Sequence, residues 1–198
     1  MNKQNDIREV ILEAAKGRLS RYGYGKTTMA ELAGDCNMSA GNLYRYFMCK
    51  LDIAEAIARE SFARIAEKMR KVVRQSGQST PDKLKDLLFC QLRETWHELE
   101  HDKHMVEMAM MIAHERPEVG NEGIAQVRSL IAEVLAQGNA TGELDVQDVA
   151  CVAEWIQCAT SKYRYPQISS SLTLPQLEKE LEGVISLLVR GVACRGKG

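Results

Sequence analysis

His97, Glu98 and His101 stand in the stretch HELEH, two imidazoles four residues apart with a carboxylate directly after the first. On a helix this spacing puts both rings on one face, the arrangement in which zinc peptidases hold their metal while the glutamate acts as general base. His104 continues the series to i, i+4, i+7, so His97, His101 and His104 could also hold zinc or another transition metal as a regulatory ion if Glu94, His114 or Cys90 came near. A second group of polar residues lies earlier in the chain. Thr27, Thr28, Ser39, Asn42, Tyr44, Arg45, Tyr46 and Lys50 surround the small residues Ala40 and Gly41. An Asn amide can pair with adenine edges, and an Arg guanidinium can reach guanine or phosphate. Hydroxyls, free amides at helix starts and a Lys ammonium suit phosphate oxygens, while Gly41 leaves the approach to DNA unobstructed.

A peptidase needs a third ligand, an open coordination position and a substrate cleft, and no second motif supplies them. His97 and His101 also lie beside Trp96 and Leu99 of an apolar stripe, where a solvated helical flank is the ordinary reading. The six cysteines, Cys36, Cys49, Cys90, Cys151, Cys158 and Cys194, include no CxxC pair, and the opening MNKQND is not an apolar leader. They read as reduced, mostly buried small hydrophobes of a cytoplasmic protein. Oxidant sensing by Cys36 and Cys49, or by Cys151 and Cys158 seven apart on one helical side, would need an exposed electropositive setting. The run MVEMAMMIA at 105–113 is interrupted by Glu107 and is too short to span a bilayer, which excludes a membrane role for it. Net charge is −1, yet residues 1–50 carry +3 and the remainder −4. A basic head on a mildly acidic body suits nucleic-acid contact at one end.

The elements that must position these groups are helical. Apolar residues at 7, 10, 11, 14, 15, 19 and 22 follow the spacing of one buried helical stripe that stops at Gly23. Thr27 is the expected N-cap of a short helix with Met29, Leu32, Ala33 and Cys36 inward. Asp35, Cys36 and Asn37 predict a tight turn, Asn being the non-glycine residue that best accepts a left-handed backbone. Ser39 caps a further short helix, AGNLYRYF, with Leu43 and Phe47 facing the core, and Lys50 opens a long helix. After the polar break SGQSTPD the same period returns to the end, and no segment alternates like a strand. The expected fold is all-α, about nine helices, divided into a helix-turn-helix domain over 1–50 and a larger domain over 51–198.

Two short helices joined by a tight turn and braced by a longer one describe a helix-turn-helix DNA reader. The run KTTMAELAGDCNMSAGNLYRYFMCKLDIAEAI, with the amphipathic helix before it, resembles the DNA-binding domain of the TetR/AcrR family of transcriptional regulators. Thr27, Thr28, Leu32, Ala33, Ser39, Gly41, Leu43, Tyr44, Tyr46, Phe47 and Lys50 carry the match. Asn37 stands where the family usually has Gly, and Asn42 where Thr is common. The resemblance implies a homodimer held by the last two helices, with a small-molecule cavity in each subunit. In this chain Leu177, Leu181, Val184, Ile185, Leu188 and Val192 line one side of the last helix, with Gly183 and Gly191 permitting close approach.

Trp96, Met105, Met108, Met111 and Trp155 are the expected lining of a pocket for an apolar or amphipathic effector; plain core filling is the alternative. The reading is a cytoplasmic DNA-binding repressor, not an enzyme, with an operator duplex, a small-molecule effector and a second copy of itself as partners and no cofactor. The alternatives are a metal-responsive regulator or zinc hydrolase using HELEH, and an interaction-only helical scaffold.

Overall fold

The computed structural model describes residues 3–100 and 102–192. Every regular element among them is helical: α1 (Lys3–Tyr22), α2 (Met29–Asp35), α3 (Ala40–Leu43), α4 (Lys50–Val73), α5 (Thr80–Leu99), α6 (Lys103–Glu115), α7 (Pro117–Thr141), α8 (Val149–Ala159), α9 (Pro166–Ser169) and α10 (Leu174–Val192), with a 3-10 turn at Ser161–Tyr163. The all-α expectation holds, with ten α-helices among the described residues where sequence spacing predicts about nine. The addition is α9, a single turn in a stretch that reads as loop. Proline at its start explains it, because the ring presets the backbone angle of a first helical turn.

The chain packs into two compact units, one of Met1–Phe62 with His101–Glu122 and one of Ala63–Glu100 with Gly123–Gly198. In the first, Ile11, Ala15 and Leu19 of α1 bury against Leu32 and Ala33 of α2, Leu43 and Phe47, Ile53, Ala54 and Ile57 of α4, and Met108 and Ile112 of α6. This division differs from a break after residue 50, for two packing reasons. The first turns of α4 complete the same core that seats α2 and α3, and α6 turns its own apolar stripe into that core.

The second unit has its own core. Met69, Leu84, Leu87, Leu92, Ile131, Leu135, Ala153, Ile156, Leu177 and Leu181 are all buried within it. α8 starts at Val149, where Asp148 accepts from the Cys151 amide as N-cap. The residues before it form a loop clasped by Asn139, whose Nδ2 donates to Val146 O at 2.7 Å and whose Oδ1 accepts from Val146 N at 3.0 Å. That loop presses Leu144 onto α7 at Gly138.

A methyl at Gly138 would lie 2.6 Å from Leu144 Cδ1 and from Thr80 Cγ2, whereas one at Gly120 on the same helix meets nothing within 4 Å. Gly138→Ala should therefore destabilise the protein by about 1–3 kcal/mol through overpacking. Gly120→Ala should leave stability unchanged or raise it by up to about 1 kcal/mol, since Ala favours helix over Gly. Urea unfolding of the two variants measures the contrast.

Candidate nucleic-acid interface

The helix-turn-helix segment is assembled by caps and left-handed turns. α1 ends at Gly23, which has φ +82° and donates its amide to Leu19 O at 2.8 Å. The His104 ring of α6 lies against this residue, so a Cβ here would stand 2.9 Å from His104 Nδ1. Backbone angle and close approach thus both require glycine.

Sequence spacing assigns the cap of α2 to Thr27, but the cap is Thr28. Its Oγ1 accepts from Glu31 N at 3.3 Å, while Glu31 Oε2 accepts from Thr28 N at 2.8 Å, a reciprocal capping box. The Thr28 hydroxyl also donates to Glu31 at 2.8 Å, and these bonds hold the Glu31 carboxyl below the usual carboxylate range. Glu31 therefore contributes stability above its unfolded pKa that is lost as pH falls through the lowered folded value. Thr27 is buried, and its hydroxyl donates to Gly23 O at 2.8 Å. The phosphate contact expected of Thr27 is replaced by this internal bond, which ties the end of α1 to the start of α2.

Lys50 also differs from expectation. Its ammonium donates to Thr27 O at 2.6 Å and to Tyr24 O, and it lies 4.1 Å from the Tyr24 ring centroid. Burial pushes its pKa below the ordinary lysine value, with Glu31 opposing. The charge clips the α1–α2 loop onto the start of α4 rather than standing free. Arg18 fastens the other end of α2 through both its Nε and Nη2 to the Asp35 carboxylate, the Nη2 bond at 2.9 Å. Asp35 is accordingly held below its usual range.

Asn37 has φ +52°, the only non-glycine positive value among the described residues, and the next amide, Met38 N, returns to Ala33 O at 2.9 Å. The expected left-handed turn is therefore present. Ser39 Oγ then accepts from Asn42 N at 3.2 Å and caps α3. α3 is shorter than the AGNLYRYF expectation: it ends at Leu43, and tight turns carry the chain to Phe47, whose amide donates to Leu43 O at 3.1 Å.

Leu43 and Phe47 point inward, 0% and 3% exposed. Arg8 stacks on the Phe47 ring at 4.2 Å and donates to Tyr46 O at 2.7 Å. The opposite side is open. Ser39, Gly41, Tyr44 and Arg45 are exposed, while Ala40, Asn42 and Tyr46 are half-buried. A Cβ at Gly41 would meet nothing within 4 Å, so no neighbour inside the fold requires glycine there. Asn42 Nδ2 makes a long contact of 3.9 Å to Met38 Sδ. No carboxylate pairs with Arg45 among the described residues. One edge thus offers amide, phenol, hydroxyl and guanidinium together, with the polar side chains around it engaged in bracing.

A cleft of about 320 Å³ lies nearby in the same unit, between Arg8, Phe47, Met48, Asp52 and Arg59. Its charges are already engaged: Arg59 pairs with Glu55 at 2.8 Å, and Asp52 accepts from Cys49 N at 3.1 Å.

The other sequence candidates are spread over both units. α5 ends at Leu99, and Asp102 caps a new helix by accepting from His104 N and Met105 N at 3.1 and 3.0 Å. The i, i+4, i+7 face expected for the histidines is therefore broken. His97 is exposed in the second unit, His104 packs on Gly23 in the first, and His101 lies outside the described residues. Among the described residues no three His, Cys, Asp or Glu side chains are grouped to hold a metal. The expected effector lining also divides. Met105, Met108 and Met111 pack into the first core, Trp96 packs against the second, and Trp155 is 62% exposed. Cys36 and Cys90 are partly buried with thiol pKa values raised mainly by burial, Cys49 and Cys158 are exposed, and Cys194 lies outside the described residues.

A short capped helix seated on a buried core, with one polar edge outward, defines a helix-turn-helix DNA-binding regulator. Residues 11–57 match the model for bacterial regulatory proteins of the tetR family, and residues 80–185 that for the tetracyclin repressor-like C-terminal domain. The chain belongs to the TetR family, whose members are transcriptional regulators and not enzymes. Solved structures share the fold. A protein of Mesorhizobium loti MAFF303099 assigned to the TetR family is 13% identical with a TM-score of 0.78, covering 98% of this chain and 100% of that one. A TetR/AcrR-family regulator of Thermobifida fusca is 22% identical with a TM-score of 0.71, covering 94% and 98%. SmeT, the repressor of the Stenotrophomonas maltophilia multidrug efflux pump SmeDEF, is 17% identical with a TM-score of 0.67, covering 96% and 91%. No curated protein sequence matches the chain.

Thr27→Val keeps the shape and removes the bond to Gly23, leaving a buried carbonyl without its donor. It should lower stability by about 1–3 kcal/mol in urea unfolding, while operator affinity of the folded protein stays at the wild-type level.

Proposed function

We propose that the chain is a cytoplasmic, homodimeric repressor whose paired reading edges bind a near-palindromic operator and are released by a small molecule. The observation that carries this reading is the outward edge from Ser39 to Arg45 on a seat formed by Leu43 and Phe47. In this reading Asn42 and Arg45 address base edges and Gly41 admits the DNA backbone. Thr28, Ser39, Tyr44 and Tyr46 supply hydroxyls to phosphate, and Ala40 gives apolar contact. Thr27 and Lys50 act one step back, holding the loop that carries Thr28.

Dimerisation is supported by apolar surface on the last long helices. α8 and α10 bury Ala153, Ile156, Leu177, Leu181 and Ile185 in their own core, yet leave Trp155 62% and Leu187 71% exposed. An isologous contact between copies would cover these side chains and set two readers at half-site centres about 34 Å apart, or a multiple of that. Repression is the mode of SmeT, which shares the fold, and no helix among the described residues is long and apolar enough to cross a membrane. α4 contributes Lys50–Phe62 to the unit that carries the reading edge and Ala63–Val73 to the other. It is the element through which an effector in the second unit biases the reader, and the coupling required is about 1–3 kcal/mol.

The test is selection of bound duplexes from random DNA, followed by gel shift. Arg45→Ala should weaken binding of the selected site by about 1–3 kcal/mol and relax its preference at one base position. Unchanged affinity and preference would remove Arg45 from the reading edge.

A further inference from the structure

Two of the cations on α1 are matched by carboxylates inside the fold. Lys16 pairs with Glu60 at 3.0 Å, and Arg18 pairs with Asp35 and, at 3.4 Å, with Glu31. Arg8 is held differently. Its Nη1 donates to Tyr46 O at 2.7 Å and its guanidinium carbon lies 4.2 Å from the Phe47 ring centroid, but it forms no ion pair among the described residues. A guanidinium carries five N–H donors in one plane. With its face on Phe47 and one donor on Tyr46 O, the rest of that fork has no acceptor among the described residues.

The half-buried Arg8 forms one wall of the cleft of about 320 Å³ that Tyr46, Phe47 and Met48 also line. The two carboxylates of that cleft are matched by other groups. Glu55 pairs with Arg59 at 2.8 Å and with Arg116 at 3.3 Å, while Asp52 accepts from Cys49 N at 3.1 Å and lies 3.9 Å from Arg116. Arg59 pairs with Glu122 as well. Among the described residues Arg8 is thus the cation of the cleft that lacks a carboxylate. The ring it covers is the seat of the reading edge, and the carbonyl it holds belongs to the residue after Arg45. Two contacts therefore fix the guanidinium relative to that edge.

We propose that Arg8 is a positioning contact to DNA: with a duplex against the Ser39 to Arg45 edge, its free N–H groups donate to a backbone phosphate at the flank of the half-site. This rests on the reading of the chain as an operator-binding regulator and adds to it a residue of α1, outside the two short helices. Duplex DNA carries one negative charge per about 1.7 Å of axis, so a duplex seated on the edge brings phosphates to its flanks. Two oxygens of one phosphate match two parallel N–H groups of a guanidinium. A donor held rigidly beside the edge sets the register of the base contacts without reading sequence itself. Bracing of Phe47 alone is the competing role, and salt dependence separates the two.

Fluorescence anisotropy of the full chain over a range of salt concentrations tests this, on a duplex selected from random DNA and on an unrelated duplex. Arg8→Gln should reduce the slope of log affinity against log salt by about 0.9 for each copy of the chain bound. The reduction should be alike on both duplexes, with base preference unchanged, since a phosphate carries no sequence. Arg8→Lys, which keeps the charge, should retain the wild-type slope. If Arg8→Gln does not fold, Arg8→Met, which keeps an apolar stem over Phe47, should show the same reduction. A folded, uncharged variant that keeps the wild-type slope, whether its affinity falls or not, assigns Arg8 to bracing alone and overturns the proposal. A wild type that binds no duplex at any salt concentration overturns the regulator reading itself, and the phosphate contact with it.

Discussion

A helix of four residues cannot hold itself together. α3 is that short, well below the length at which helix propagation outweighs nucleation, so the edge it presents exists only because Leu43 and Phe47 are buried beneath it. Their burial depends in turn on a left-handed residue at Asn37, which reverses the chain after α2, and on Arg8, which closes over Phe47 and Tyr46. Lys50 fixes the far side through two carbonyls of the preceding loop. A reader built this way is preorganised, and little conformational entropy remains to be lost when it meets a duplex.

The polar residues of the segment fall into two groups by what they touch. Thr27, Glu31, Arg18, Asp35 and Lys50 close bonds inside the fold, so changes there act first on stability. Arg45, Tyr44 and Gly41 are exposed, and in the proposed reading changes there act on recognition rather than on stability. The second unit repeats the contrast in apolar form. The inward sides of α8 and α10 contribute to a core, while Trp155 and Leu187 lie outside it, and these are the side chains on which the proposed contact between copies rests.

Much of this was legible in the sequence because it depends on local rules. The four-residue spacing of Ile11, Ala15 and Leu19, the Ser39 cap and the tolerance of Asn for positive φ each need only a few neighbouring residues to be read. What was not legible depends on distant partners. Thr27 and Thr28 are adjacent and chemically alike, and only the position of the Gly23 carbonyl decides which turns inward. The bonds of Lys50 reach across more than twenty residues. The histidine series does not run on as one helix to His104 because Asp102, an ordinary surface residue in sequence, starts a new helix. The methionines of α6 read equally as pocket or core until the fold sets them beside α1 and α4.

The central claim is that one rigid edge, duplicated by a twofold axis, meets two successive turns of the same groove. Hydroxyl-radical footprinting on a duplex selected by the protein measures this directly. The account predicts two protected patches, related by symmetry and centred about one helical turn apart or a whole multiple of it. A single patch, or two patches at a spacing that sets the readers on opposite faces of the duplex, would contradict it.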